Sequence, residues 1–286
     1  MNFGGINSDF SSFNNSKFVV VPVPYDLTST YRSGSRKGPS AILDASFNME
    51  LYDEELQKET YLAGIHTLPP VEPHARGPAE MIDTVRKRID YLLSFDKIPV
   101  ILGGEHSISF GAVKAMKRRY PEISVLQLDA HADMRDTYQG TPYSHASVGR
   151  RISGLCPLVQ AGIRSMSKEE VFFLSESDVK TFPMGFIHEN PEWEKEVCKN
   201  LSGDIYITVD LDVLDPSVMP STGTPEPGGI YWNDLLRLIR KVSSRCKIRG
   251  FDIVELMPIP GMVAPDFLAA KLTYRIMGYI TEGGEN

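Results

Sequence analysis

Cysteine is scarce in this chain of 286 residues, with three in all (Cys156, Cys198 and Cys246) and no CxxC pair among them. An odd number at such spacings excludes a disulfide framework and points to a reducing cytoplasm. Long apolar runs are missing too. The longest, such as 18–21 and 98–102, fall far short of the ~18 residues that a spanning helix needs. Positive charge is in deficit, with 30 Lys+Arg against 37 Asp+Glu and a net charge of −7. That balance argues against nucleic acid as a partner, which calls for a basic face, but suits a cationic substrate. Residues 1–10 lack the basic stretch and apolar core of a signal peptide, so the expectation is a soluble, cytoplasmic protein with no membrane partner. GxGxxG, P-loop and GxSxG patterns are absent, which argues against a nucleotide-binding enzyme and a serine hydrolase.

What is present is alternation. Apolar, β-rich runs at 18–21, 98–102, 123–128, 158–163, 185–188, 205–209 and 248–254 read as strands. Between them fall amphipathic stretches, the clearest at 79–95, where Met81, Ile82, Val85, Ile89, Leu92 and Leu93 recur at helical spacing. Further helices are expected near 38, at 107–119, 192–199, 232–242 and 267–280. No repeat, low-complexity segment or linker interrupts the pattern, so residues 1–286 read as one domain. Strand-then-helix alternation implies βαβ crossovers and a mainly parallel sheet covered on both faces, with ligands outside the carboxyl ends of the strands.

Two of the strands end in acid. One gives Asp129-Ala130-His131-Ala132-Asp133, the other Asp210-Leu211-Asp212. If the chain stays extended, Asp129, His131 and Asp133 share one side, as do Asp210 and Asp212. Carboxylates crowded at the edge of a core repel and lose hydration, a conflict that divalent cations resolve. A third strand ends in Gly103-Gly104-Glu105-His106, where two glycines permit a tight turn that presents His106. Two histidines and four aspartates can hold two ions, and oxygen-rich ligation with some imidazole suits Mn²⁺ better than a structural Zn²⁺ site. Two such ions, ~3.5–4 Å apart, can deprotonate a water near neutral pH.

With these stretches in view, the chain resembles the ureohydrolase (arginase/agmatinase) family, agmatinases most closely. The resemblance rests on Gly103-Gly104-Glu105-His106-Ser107, Asp129-Ala130-His131-Ala132-Asp133 and Asp210-Leu211-Asp212-Val213-Leu214-Asp215-Pro216. Thr222-Gly223-Thr224-Pro225, Asp252-Ile253-Val254-Glu255 and the earlier Ser29-Thr30-Tyr31-Arg32-Ser33-Gly34 complete it. It implies a three-layer α/β/α, arginase-like domain with two Mn²⁺ per subunit, in which a metal-bridging hydroxide attacks a guanidino carbon to release urea. By the same resemblance, one ion takes His106, Asp129, Asp133 and Asp210, and the other Asp129, His131, Asp210 and Asp212, with Asp129 and Asp210 bridging. Catalysis falls to His145 as proton shuttle, to Glu255 and to Asp133; Glu255 and His145 also meet the substrate. A carboxylate such as Glu255 matches the guanidinium fork through two charge-assisted hydrogen bonds. The family's habit implies a homo-oligomer, trimer or hexamer.

The expected substrate is agmatine, hydrolysed to putrescine and urea. Residues 257–266 depart from the agmatinase pattern, which keeps N1-aminopropylagmatine as the alternative, ahead of arginine and guanidinobutyrate. Asp266 is expected to cap the last helix, Asp215 to form a turn, and Arg164 to make a structural or interface ion pair. Glu105 reads as a structural residue, and His66, His74 and His188 as ordinary histidines outside the site. The sequons at Asn14 and Asn200 carry no weight in a cytoplasmic chain.

Overall fold

The strand at 18–21 is apolar at every position, as a strand covered on both faces must be, and its side chains divide between two cores. Val19 and Val21 enter one apolar cluster with Met81, Val85 and Ile89, while Phe18 and Val20 enter the other with Ile42, Leu272 and Ile276. The same alternation along each central strand makes the three layers. The computed structural model describes residues 2–283.

Ten strands are described: β1 (Phe18–Val23), β2 (Tyr52–Asp53), β3 (Lys58–Glu59), β4 (Ile65–Thr67), β5 (Ile98–Gly103), β6 (Ser124–Leu128), β7 (Leu158–Ile163), β8 (Lys180–Pro183), β9 (Asp204–Asp210) and β10 (Lys247–Val254). Strands β2 and β3 form a small antiparallel ribbon, and the other eight form one sheet in the order β4-β1-β5-β10-β9-β6-β7-β8. Every pairing in that sheet is parallel. All carboxyl ends therefore lie along one edge.

The helices are α1 (Ser8–Ser11), α2 (Gly38–Ser46), α3 (Pro78–Leu93), α4 (Ser109–Arg119), α5 (Val148–Ser153), α6 (Lys168–Ser175), α7 (Met184–Glu189), α8 (Trp193–Lys199), α9 (Trp232–Ser243) and α10 (Ala264–Gly283). Residues of α3, α4 and α5 fill one core, and those of α2, α7, α8, α9 and α10 the other. Helix α3 buries the six residues that its spacing singled out. The expected strand at 185–188 is instead part of α7, and the neighbouring strand is β8, four residues at the sheet edge. An apolar run of four cannot distinguish strand from helix by periodicity. No described helix is long and apolar enough to cross a membrane.

Candidate active site

Strands β5, β10, β9 and β6 are neighbours in the middle of the sheet; β9 ends in Asp210, and His106, Asp129 and Glu255 follow the ends of β5, β6 and β10 within three residues. The extended reading fails just past the strand ends, yet the cluster still forms. Strand β6 stops at Leu128, and Asp133 turns back with φ 53°. After β9, Leu211–Val213 make a single 3₁₀ turn, capped by Asp210, whose Oδ1 accepts the Asp212 N–H at 3.0 Å. The two glycines before His106 serve close approach rather than an unusual turn. A Cβ on Gly104 would lie 2.0 Å from the Tyr25 carbonyl oxygen, so only glycine lets β5 pass that loop.

His106 Nδ1 lies 3.1 Å from Asp129 Oδ2 and 3.3 Å from both Asp133 Oδ2 and Asp210 Oδ2. A second group forms around His131, whose Nδ1 is 2.9 Å from Asp212 Oδ2 and 3.7 Å from Asp129 Oδ1. Asp129 belongs to both groups, whereas Asp210 stands with His106. All four aspartates and His106 are buried; His131 is partly exposed.

The ligand atoms are aimed from behind. Thr208 gives its hydroxyl hydrogen to Asp252 Oδ1 at 2.6 Å, so its oxygen accepts from His106 Nε2–H at 2.8 Å. That turns Nδ1 toward the carboxylates, where it has no ordinary hydrogen-bond partner among the described residues. Gln127 donates to Asp129 Oδ2 at 2.8 Å and is itself held by Gln160 at 3.0 Å. The Ala130 N–H donates to Asp212 Oδ1 at 3.0 Å. Arg164 makes no ion pair among the described residues; its guanidinium donates to the carbonyls of Asp212 at 2.6 Å and Glu226 at 2.8 Å, among others. It fastens the β9 loop through these backbone carbonyls, a structural role.

Charge crowding shows in the proton affinities. Burial, then the charge of Asp129, pushes Asp133 up to about 7, and burial with Asp212 and Asp129 raises Asp210 well above the usual carboxylate range. Burial opposes a charged His131, but Asp212 overrides it and holds the ring up at about 11. Burial likewise opposes a charged Asp212, yet His131 keeps it down at about 2. An orphaned imidazole nitrogen facing three carboxylate oxygens, with a fourth carboxylate alongside, is a donor set suited to hard, six-coordinate dications.

The cluster floors a cavity of about 280 Å³, lined also by Ser29, Thr30, Arg32, Arg135, Tyr138, His145, Met166, Gly223, Thr224 and Glu255. Glu255 follows β10 with φ 64°, and its Oε1 accepts the His106 N–H at 2.8 Å. Desolvation, then the nearby Glu105, raises its pKa well above the ordinary value. His145 stands against Thr28 and Thr30 and meets the Tyr138 ring edge-on with centroids 5.9 Å apart. Burial, then the charges of His106 and His131, brings it down to about 4.

All eight predicted site residues therefore meet at one cavity or directly beneath it. None of residues 257–266 lines it. Residues 259–262 form a tight turn, with Met262 N–H donating to the Ile259 carbonyl at 2.9 Å and Gly261 at φ 82°. Asp266 lies inside the first turn of α10 rather than capping it. Asp215 does make a turn, accepting from Ser217, Gly228 and Gly229 N–H groups. His66, His74 and His188 lie elsewhere. Thr28, Thr208 and Gln127 are not singled out by the sequence, and Thr30 enters only within the 29–34 stretch of the resemblance. For Gln127 and Thr208 the available signal is a polar side chain inside an apolar strand; Thr28 lies in a loop and offers none.

The sequence profile of the arginase family matches residues 16–278. The chain is 38% identical over 277 residues to the N(1)-aminopropylagmatine ureohydrolase of Synechocystis sp., covering 94% of this chain and 90% of that protein. It is 37% identical to the agmatinase of Bacillus cereus, with 87% and 86% covered. The crystal structure of agmatine ureohydrolase of Thermoplasma volcanium superposes with a TM-score of 0.89 at 34% identity, covering 97% of this chain and 94% of that one. Together with the all-parallel three-layer fold and its His/Asp clusters, these likenesses show that the chain belongs to the arginase family and is a metal-dependent hydrolase of the ureohydrolase type.

Proposed function

We propose that the enzyme hydrolyses the guanidino group of agmatine to give putrescine and urea. The observation that carries this is the placement of Glu255 on the same cavity as two His/Asp groups that share Asp129. The first ion would be held by His106, Asp129, Asp133 and Asp210, the second by Asp129, His131, Asp210 and Asp212, both as Mn²⁺. When bound, the pair supplies Lewis acidity that brings the pKa of a water down toward neutrality. Four carboxylates balance two dications, so a cationic substrate can join them. Glu255 binds the planar guanidinium through two parallel hydrogen bonds and holds its carbon over the cluster. As a water oxygen bonds to the guanidino carbon, His145 relays a proton from solvent to the departing amine nitrogen, which takes the electron pair of the broken C–N bond.

N1-aminopropylagmatine is the second reading, favoured by relatives of that name at 38% identity. It extends the same guanidine by another amine, and the cavity is lined by the partly exposed Tyr138 and Arg135 as well as by the cluster. Urea release by Mn²⁺-loaded protein, with agmatine, N1-aminopropylagmatine, arginine and guanidinobutyrate at equal concentration, tests both. Fastest turnover of agmatine supports the first reading, a clear lead for the aminopropyl compound the second, and arginine ahead of both contradicts each. The expected setting is the cytoplasm and the expected assembly a homotrimer or hexamer, which light scattering of the purified protein checks.

A further inference from the structure

The residues behind His145 decide which of its ring nitrogens carries hydrogen. Thr28 has one hydroxyl hydrogen, and Glu105 Oε1, fully buried, lies 2.6 Å from that oxygen. The same carboxyl group takes the Thr28 N–H at 2.6 Å and the Ser107 hydroxyl at 2.6 Å, so the donors around it converge on its two oxygens. With its hydrogen given to Glu105, Thr28 Oγ1 can only accept. It faces His145 twice, at the backbone N–H (3.1 Å) and at ring Nδ1 (3.4 Å). A bare Nδ1 would set two lone pairs against each other. The remaining nitrogen, Nε2, lies 3.4 Å from the Thr30 hydroxyl, and both His145 and Thr30 line the cavity.

We infer that Thr28, held by Glu105, is a positioning residue that fixes the Nδ1–H tautomer of His145 and leaves Nε2 to exchange protons with the substrate. The catalytic consequence rests on the proposed role of His145; the tautomer does not. In the proton transfer, the neutral Nδ1–H ring takes a proton from solvent at Nε2 and passes it to the amine nitrogen as the C–N bond breaks, which returns the ring to its neutral Nδ1–H form. Thr28 keeps one hydrogen bond to the ring throughout, so the imidazole need not rotate between the two states.

The test is the ¹⁵N–¹H long-range NMR spectrum of the Mg²⁺-loaded protein, with His145→Gln identifying the signal. The wild-type protein and Thr28→Ser should show the Nδ1–H tautomer, and Thr28→Val a mixture of both. An Nε2–H tautomer in the wild-type protein overturns the inference whether or not Thr28→Val folds. In the Mn²⁺-loaded enzyme, Thr28→Val should lower kcat by about 10- to 100-fold, part of what general acid–base catalysis supplies. KM should stay, a limb of the pH profile should move, and Thr28→Ser should restore both. An unmoved tautomer and profile in Thr28→Val also overturns it. Full urea release by His145→Ala would instead remove His145 from the reaction, leaving the spectrum to decide the tautomer.

Discussion

Glu255 and Asp133 hold their backbones at φ 64° and 53°, a region that residues with side chains seldom enter. Such conformations cost of order 1–3 kcal/mol each and persist where the surroundings impose them, often at functional sites. For Glu255 the imposed geometry brings its N–H to the Gly104 carbonyl at 2.7 Å and its carboxylate to the His106 N–H. Because it binds substrate rather than metal in this account, Glu255→Gln should retain both ions and lose about 10²-fold or more in kcat/KM. That is the scale of removing one preorganised charge-assisted contact. Wild-type kcat/KM in the variant would take Glu255 out of the reaction, and elemental analysis checks the metal. The acids and histidines were legible in the sequence because ionisable groups at the ends of apolar strands need a reason to be there. Thr28 was not, since a lone threonine in a loop carries no such signal; its partner Glu105 lies 77 residues away.

Among the elements, the decisive fact is that β5, β10, β9 and β6 run side by side and parallel. Residues from 105 to 255 meet because four carboxyl ends share one edge. The buried strands announced themselves as continuous apolar runs. The edge strands did not: β4 has three residues and β8 four, and none of those in β8 is buried, so neither offers a run long enough to stand out. The twin glycines were read as a turn, because contact with Tyr25, some 80 positions earlier in the chain, leaves no local trace. Gly104→Ala tests that contact. Its Cβ would meet backbone atoms of Tyr25 at 2.0 to 2.9 Å, which a flexible side chain could not relieve. The variant should lose about 1–3 kcal/mol of stability or more. His106 should be displaced with it, so metal affinity should fall as well. Denaturant midpoints and calorimetric metal titration read the two effects, and a wild-type midpoint would contradict the packing argument.

At the scale of the whole molecule, the cluster ties folding to metal and pH. Asp133 has a folded pKa of about 7 against an ordinary 3.8. In the metal-free protein its protonation therefore stabilises the fold fully below about pH 3.8, and that contribution is lost as pH rises through about 7. Deprotonation leaves crowded carboxylates for which a dication is the natural partner, and binding releases protons. The gain in Tm on adding Mn²⁺ should accordingly be larger near pH 8 than near pH 6. Equal gains by differential scanning calorimetry would contradict the coupling.

In the proposed reaction the His/Asp cluster holds two ions, and hydrolysis of a guanidine depends on both. One titration tests it most directly: Mn²⁺ added stepwise to chelator-stripped protein, with bound metal and urea release from agmatine measured on the same samples. Two ions per chain are expected at saturation, with turnover that disappears on stripping and returns as the pair fills. Full urea release by the stripped protein, or saturation at a single ion, would contradict it.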